Sequence, residues 1–293
     1  MTQAVQIGPL VSRSNRDTVP LARLARAELR WIFRRPRTLI VLGLLAAVPV
    51  VIGLALTLVN ANEVGDSGDA GVGTLLVSAV SNGFILPIAA LVLTLQLLLP
   101  LATAMAGADA IAGETATGAL RGWQLAPVSR GRLLAVKAFG VATVALATSV
   151  VMTVTGAITG LIINGSDSLF TLSGTTLSLW ETLGRLALAA GWVTLQLWAV
   201  GAVALAISAF TEHPMLVVVS ILTADVVFQI LSLLSAVSWL HPFLLQRNWS
   251  TALTEILQDP MNATQLGEGA LRAVCYIVIG LSVAYARMTT RDG

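Results

Sequence analysis

The chain has 293 residues, of which 56% are hydrophobic and only 11% charged. Soluble domains carry about 25% charged residues, so a soluble globular enzyme is excluded, as is a disordered or disulfide-stapled chain. The net charge of +2 comes from seventeen basic residues, sixteen of them Arg with Lys137 the single Lys. They cluster beside long apolar runs, which reads as membrane orientation and not as nucleic-acid binding. Cys275 is the single cysteine, so no intrachain bridge or Cys-based metal cluster forms. It lies within an apolar run and is expected to be a packed core thiol.

Residues 1–18 read as a polar cytoplasmic tail. No cleaved export signal is expected, because the first apolar run is too long for a signal-peptide core. Residues 19–37 predict an amphipathic elbow helix. At about 100° per residue, Arg23, Arg26, Arg30, Arg34 and Arg37 share one stripe and Leu21, Leu24, Ala25, Leu29 and Ile32 the other. Such a helix lies in the interface with its Arg heads among lipid phosphates. It serves either as a topology signal or as a brace for a cytoplasmic partner. Pro36 then breaks it.

Residues 38–293 predict a six-span domain. The first span, from Thr38 to Val59, covers about 33 Å at 1.5 Å per residue, enough to cross a bilayer. The second apolar run, Thr74 to Ala106, contains Pro87 and Pro100, and a kink is expected at Pro87. The third runs from Leu133 to Ile163, the fourth from Leu183 to Phe210, the fifth from Met215 to Leu240 and the sixth from Leu271 to Tyr285. Fourteen basic residues fall on one side of these spans and Arg247 alone on the other, with Arg185 and Arg272 at helix starts. The positive-inside bias predicts that both termini are cytoplasmic. The sequons at Asn164, Asn248 and Asn262 read as chance matches.

The loop at 107–132 carries most of the information. Asp109 is followed by Gly113-Glu114, Gly118 and Leu120, then Leu125, Pro127, Ser129 and Arg130, with Lys137 beyond. A short acidic helix ended by a Pro turn is suited to docking on a soluble protein. Ser129 is expected to cap the third span, and Arg130 and Arg132 to anchor it at lipid phosphates.

At these residues the chain resembles the type-2 ABC-transporter permeases, the six-span exporter subunits of bacteria. Gly113, Glu114, Gly118, Leu120, Leu125, Pro127, Ser129, Arg130 and Lys137 match their loop, with Ala119 for the usual Thr and Val136 for the usual Gly before Lys. The resemblance implies an all-α fold and a coupling helix, with Glu114 and its neighbours at a groove of an ABC ATP-binding subunit. It also implies a second permease half, identical or different, and short re-entrant outer helices in 239–269. ATP and Mg would reside on the partner subunit, with no cofactor bound by this chain. The bacterial plasma membrane is the expected location.

The residues themselves agree with that division of labour. No Gly-x-x-x-x-Gly-Lys-Ser/Thr phosphate loop is present in the sequence. His213 and His241 fall on opposite predicted faces and do not suggest a metal site. No catalytic residues are assigned. Asp225 lies within the fifth span, where an ionised carboxylate must face protein or water. With Gln229 and Ser232 it forms a polar stripe that either lines a pathway or makes an internal hydrogen bond, and Gln96 and Gln196 are candidates for the same surface. Glu181/Arg185 and Glu268/Arg272 are i,i+4 pairs expected to stabilise helix starts. Gly156-x-x-x-Gly160 would permit close helix packing.

The reading is therefore the permease subunit of an ATP-driven exporter. Its rivals are an ion-coupled secondary transporter using Asp225 and a non-transporting scaffold. No internal repeat of the kind common in secondary transporters is visible in the sequence.

Overall fold

A computed structural model describes residues 20–58, 70–116, 129–165 and 171–290. The fold is all-α. Five helices are long and apolar enough to cross a membrane: α2 (Pro36–Leu58), α6 (Arg130–Asn164), α7 (Leu179–Ser208), α8 (Pro214–Leu233) and α10 (Thr264–Thr290). A sixth span is the bent pair α4 (Ile85–Leu95) and α5 (Leu98–Ala108), which continues through Asp109–Gly113 to Ala116. The remaining helices are α1 (Leu21–Arg34), α3 (Ala70–Ser81), a 3-10 segment Ser235–Phe243, and α9 (Trp249–Glu255).

The core forms around α7. Its apolar window is 67% buried, against 22% for α2 and for α8. Helix α7 packs against α10, α6 and α5, and its small residues Ala189, Ala199, Ala202 and Ala204 are wholly enclosed. A capping box at Ser178 and Glu181 starts it. Contact with α6 is reinforced where the Ser149 hydroxyl donates to the Ala190 carbonyl at 2.7 Å.

Two prolines break the second apolar run, where one kink was expected. Helix α3 stops at Ser81, the Asn82 side chain accepts the Phe84 N–H at 3.0 Å, and α4 begins two residues before Pro87. Pro87 thus lies in a first turn, where its missing N–H is tolerated. A bend of 58° falls at Gln96–Leu97. Pro100 cannot donate to the Gln96 carbonyl four residues back. The Gln229 amide from α8 donates to that carbonyl instead, at 3.0 Å.

Close approach of α4 to α6 uses the Gly156/Gly160 pair. A Cβ on Gly156 would lie 2.7 Å from Pro87 Cα, and one on Gly160 would strike the Gly83 carbonyl. The spacing acts as the sequence suggests. Cys275 does not: it is exposed on the surface of α10, not a packed core thiol.

At the end opposite α1, the segment from the 3-10 turn to α9 folds over α7 and α10. Trp249 is buried there and donates to the Gln196 side chain at 3.2 Å, while Trp192 donates to the Leu266 carbonyl at 3.0 Å. Arg185 donates to the carbonyls of Ile256 and Gln258 at 2.9 and 2.7 Å. Arg272 donates to those of Leu244 and Arg247 at 3.1 and 3.0 Å. The i,i+4 acids Glu181 and Glu268 still act electrostatically on these two arginines, but their hydrogen bonds go to longer-range capping. Carbonyls at the ends of short helices have no partner within their own helix, and a guanidinium satisfies two at once.

Candidate functional site

Helix α1 segregates its residues sharply. Arg23, Arg26, Arg30 and Arg34 are exposed along one face, as the wheel predicts. Glu28, on the other face, is buried. Arg37 does not belong to the stripe: α1 ends at Arg34, and Arg37 lies in the first turn of α2. Pro36 starts a new helix, so the periodicity of α1 does not extend to Arg37. Arg37 there donates to both carboxylate oxygens of Asp109, at 3.3 and 3.2 Å, and Arg35 lies 3.7 Å from the same group.

Beneath this corner lies a buried cluster of charge. Lys137, only 2% exposed, projects from α6 and donates to both Glu28 oxygens at 3.1 Å. The same ammonium bonds Glu114, which follows the last turn of α5 and is itself buried. Trp31 covers the group, with the Lys137 nitrogen 5.2 Å from its ring centroid and the Arg35 guanidinium carbon stacked at 3.1 Å. Burial lowers the Arg35 pKa from its ordinary value against the opposing pull of Asp109, Glu114 and Glu28. An arginine nonetheless stays charged in a protein. A cavity of about 50 Å³ opens beside the cluster, lined by the polar Arg35, Arg37 and Asp109 and by the apolar Ile32, Met105 and Val144.

Glu114 was expected at a contact with another protein. Its carboxylate instead faces inward and holds α5 to α6 and α1. Arg130 also turns inward. It donates to the Met288 carbonyl and, at 3.4 Å, to that of Thr289, so it caps the last turn of α10. Orphan carbonyls at a helix C-terminus attract a cation by hydrogen bonding and by the helix dipole. Ser129 occupies the N-cap position of α6, and its side chain makes no capping hydrogen bond. Gly118, Leu120, Leu125 and Pro127 lie outside the described residues.

The polar stripe of α8 is divided. Gln229 holds the α4–α5 bend, and Ser232 donates to the Gln229 carbonyl at 2.6 Å. Asp225 is buried, and its Oδ2 has no hydrogen-bond partner among the described residues. Gln96 meets this stripe through its backbone, whereas the Gln196 side chain is committed to Trp249. His241 contacts the Leu231 carbonyl at 3.0 Å. Among the described residues, no group of three or more His, Cys, Asp or Glu is placed to hold a metal ion.

The six-span helical arrangement agrees with a comparison against protein families, in which residues 22–293 match the ABC-2 family transporter protein model. The chain belongs to the ABC-2 transporter family. It is thus a multi-pass membrane permease of an ABC transporter, a transport component and not itself catalytic. No curated protein compared with the chain matches it. Within this ABC-2 permease, sequence reasoning missed Glu28, Trp31 and Arg35, and with them the buried contacts of Lys137. The available signal was Glu28 itself, the one acid on a helix otherwise studded with arginine.

Proposed function

We propose that this permease exports its substrate using ATP hydrolysed by a separate nucleotide-binding subunit, which docks on the segment 109–132. The observation that carries the reading is how both ends of that segment are anchored. Glu114, at one end, bonds Lys137 together with Glu28 of α1; Arg130, at the other, holds the last turn of α10. Force applied to the segment therefore reaches α1, α6 and α10 through buried or partly buried polar contacts.

The basic end of the bundle faces the cytoplasm in this reading, by the positive-inside bias. The exposed arginines of α1 then lie among phosphates of a bacterial plasma membrane, beside the docked subunit. Two permease halves, identical or different, form the transporter. Mg and ATP belong to the partner, since the sequence of this chain has no phosphate-binding loop.

The test is reconstitution. Alone, the purified chain hydrolyses no ATP. Co-expressed with a nucleotide-binding subunit encoded beside it, it forms a complex that does, and inside-out vesicles accumulate substrate when ATP is added. Robust hydrolysis by the isolated chain, or ATP-driven movement in the opposite direction, overturns the proposal.

A further inference from the structure

Between two ion-paired carboxylates the chain leaves α-helical geometry. Asp109 engages Arg35 and Arg37, Glu114 engages Lys137, and the residues between them, Asp109–Gly113, form one π turn. Residues five apart in an α-helix point about 140° away from each other at ~100° per residue. A wider i→i+5 turn brings them toward one face. The π turn is thus what lets both acids reach the corner made by α1, α2 and α6.

Ser208, the last residue of α7, holds the turn open. Its hydroxyl accepts the Ala112 N–H at 2.8 Å and donates to the Ala108 carbonyl at 3.2 Å. These are the two groups that an α-helical i→i+4 bond would join directly. The hydroxyl is an inserted link in the ladder, and Ser208 is fully buried. It reaches that far because α5 and α7 nearly touch one turn earlier: a Cβ on Gly107 would lie 2.6 Å from the Ala204 Cβ and 3.1 Å from the Gly201 carbonyl.

We propose that Asp109–Gly113 is a two-state register switch latched by Ser208. With the hydroxyl inserted, the turn is π and Glu114 meets Lys137. With it withdrawn, Ala112 bonds Ala108 directly, the turn tightens to α, and Glu114 swings by about 100°, one residue's rotation, away from Lys137. Neither state strands the latch's own groups: Ala112 and Ala108 bond each other, and a helical serine hydroxyl can return to the carbonyl four residues back, here Ala204. The switch's role rests on the docking reading above: movement of the segment beyond Glu114 selects the register, and the register decides whether α5 is tied to α1 and α6.

The experiment labels a thiol at the swinging position. In a Cys275→Ser background, Glu114→Cys is reacted with a maleimide in the purified chain, with Ser208 intact or as Ser208→Ala. Both chains lack the Glu114 carboxylate, so the comparison isolates the hydroxyl. Labelling is expected to be roughly fivefold faster, or more, in Ser208→Ala, on the scale of one lost hydrogen bond. A cysteine in place of Met152, buried in α6, reports general loosening and should not change. Equal rates at position 114, or an equal rise at position 152, overturn the latch. With a nucleotide-binding subunit bound and ATP supplied, the Ser208 chain should label faster at 114 than without nucleotide. No change in a complex that hydrolyses ATP overturns the role in coupling. Failure of any such subunit to bind overturns the docking reading, while the first comparison still judges the latch.

Discussion

Glu28 on the elbow helix and Glu114 at the root of the loop share one ammonium group, that of Lys137. Among the described residues, Arg35, stacked on Trp31, adds a second cation beside these two carboxylates. The arrangement makes the behaviour of the three side chains unequal under substitution.

Lys137→Met should be the most damaging change. It leaves Glu28 and Glu114 buried against each other, and breaking a buried pair from one side costs about 3–5 kcal/mol. The unfolding midpoint of the purified chain in detergent is the measurement. A midpoint equal to that of the unsubstituted chain would show that the cluster is not structural.

Neutralising one acid should be milder. Glu28→Gln or Glu114→Gln leaves Lys137 with one carboxylate and strands no buried anion, so each is expected to cost less than Lys137→Met by the same assay. Glu114→Ala should lower the stability of the chain alone, before any partner is present. If it lowered only capture of a nucleotide-binding subunit, the carboxylate would be acting outward.

Arg130→Ala should act locally. Hydrogen bonds from a charged donor contribute about 1.5–3 kcal/mol, and here they hold the Met288 and Thr289 carbonyls. Hydrogen exchange in the last turn of α10 should accelerate, while the middle of α10 is unchanged. Uniform exchange along α10 in both chains would remove the capping role.

Pro100 and Gln229 should be coupled. Gln229→Leu strips the Gln96 carbonyl of its donor, at a cost of about 1–3 kcal/mol. Pro100→Ala supplies an N–H of its own to that carbonyl, so the double substitution should be less unstable than Gln229→Leu alone. Strict additivity of the two unfolding midpoints would contradict the explanation of the bend.

Asp225→Asn distinguishes an ATP-driven exporter from an ion-coupled carrier. With no proton or cation to carry, ATP-coupled transport in proteoliposomes should persist at least in part. Transport that needs an ion gradient and ignores ATP, abolished by this substitution, would overturn the exporter proposal.

What could be read from the residues follows from the range of the forces involved. The spans were legible because each is a local property of composition, and the stripe of Arg23, Arg26, Arg30 and Arg34 because a helix repeats every few residues. Arg37 was misplaced because the same periodicity was extended through Pro36. The partners of Glu28, Arg130, Arg185 and Arg272 were hidden for the opposite reason. Local charge pairs such as Glu181/Arg185 compete with carbonyls that folding brings from 71 and 73 residues away, and only the fold supplies those. The second break, at Gln96, shows the same limit. Either proline in that run could mark the sharp bend, and it is Gln229 on another helix that stabilises the carbonyl exposed at Pro100.

The two kinds of long-range tie close at different moments of synthesis. The chain is made from its N-terminus. By the time Lys137 has been added, Glu28 and Glu114 already exist, so the charged cluster can form while the C-terminal half is still untranslated. Arg185 enters with α7 long before Ile256 and Gln258 are made, and Arg130 waits still longer for Met288. The nascent permease therefore secures its basic end from within its first half, and holds two of its cations in reserve for the last helices to arrive.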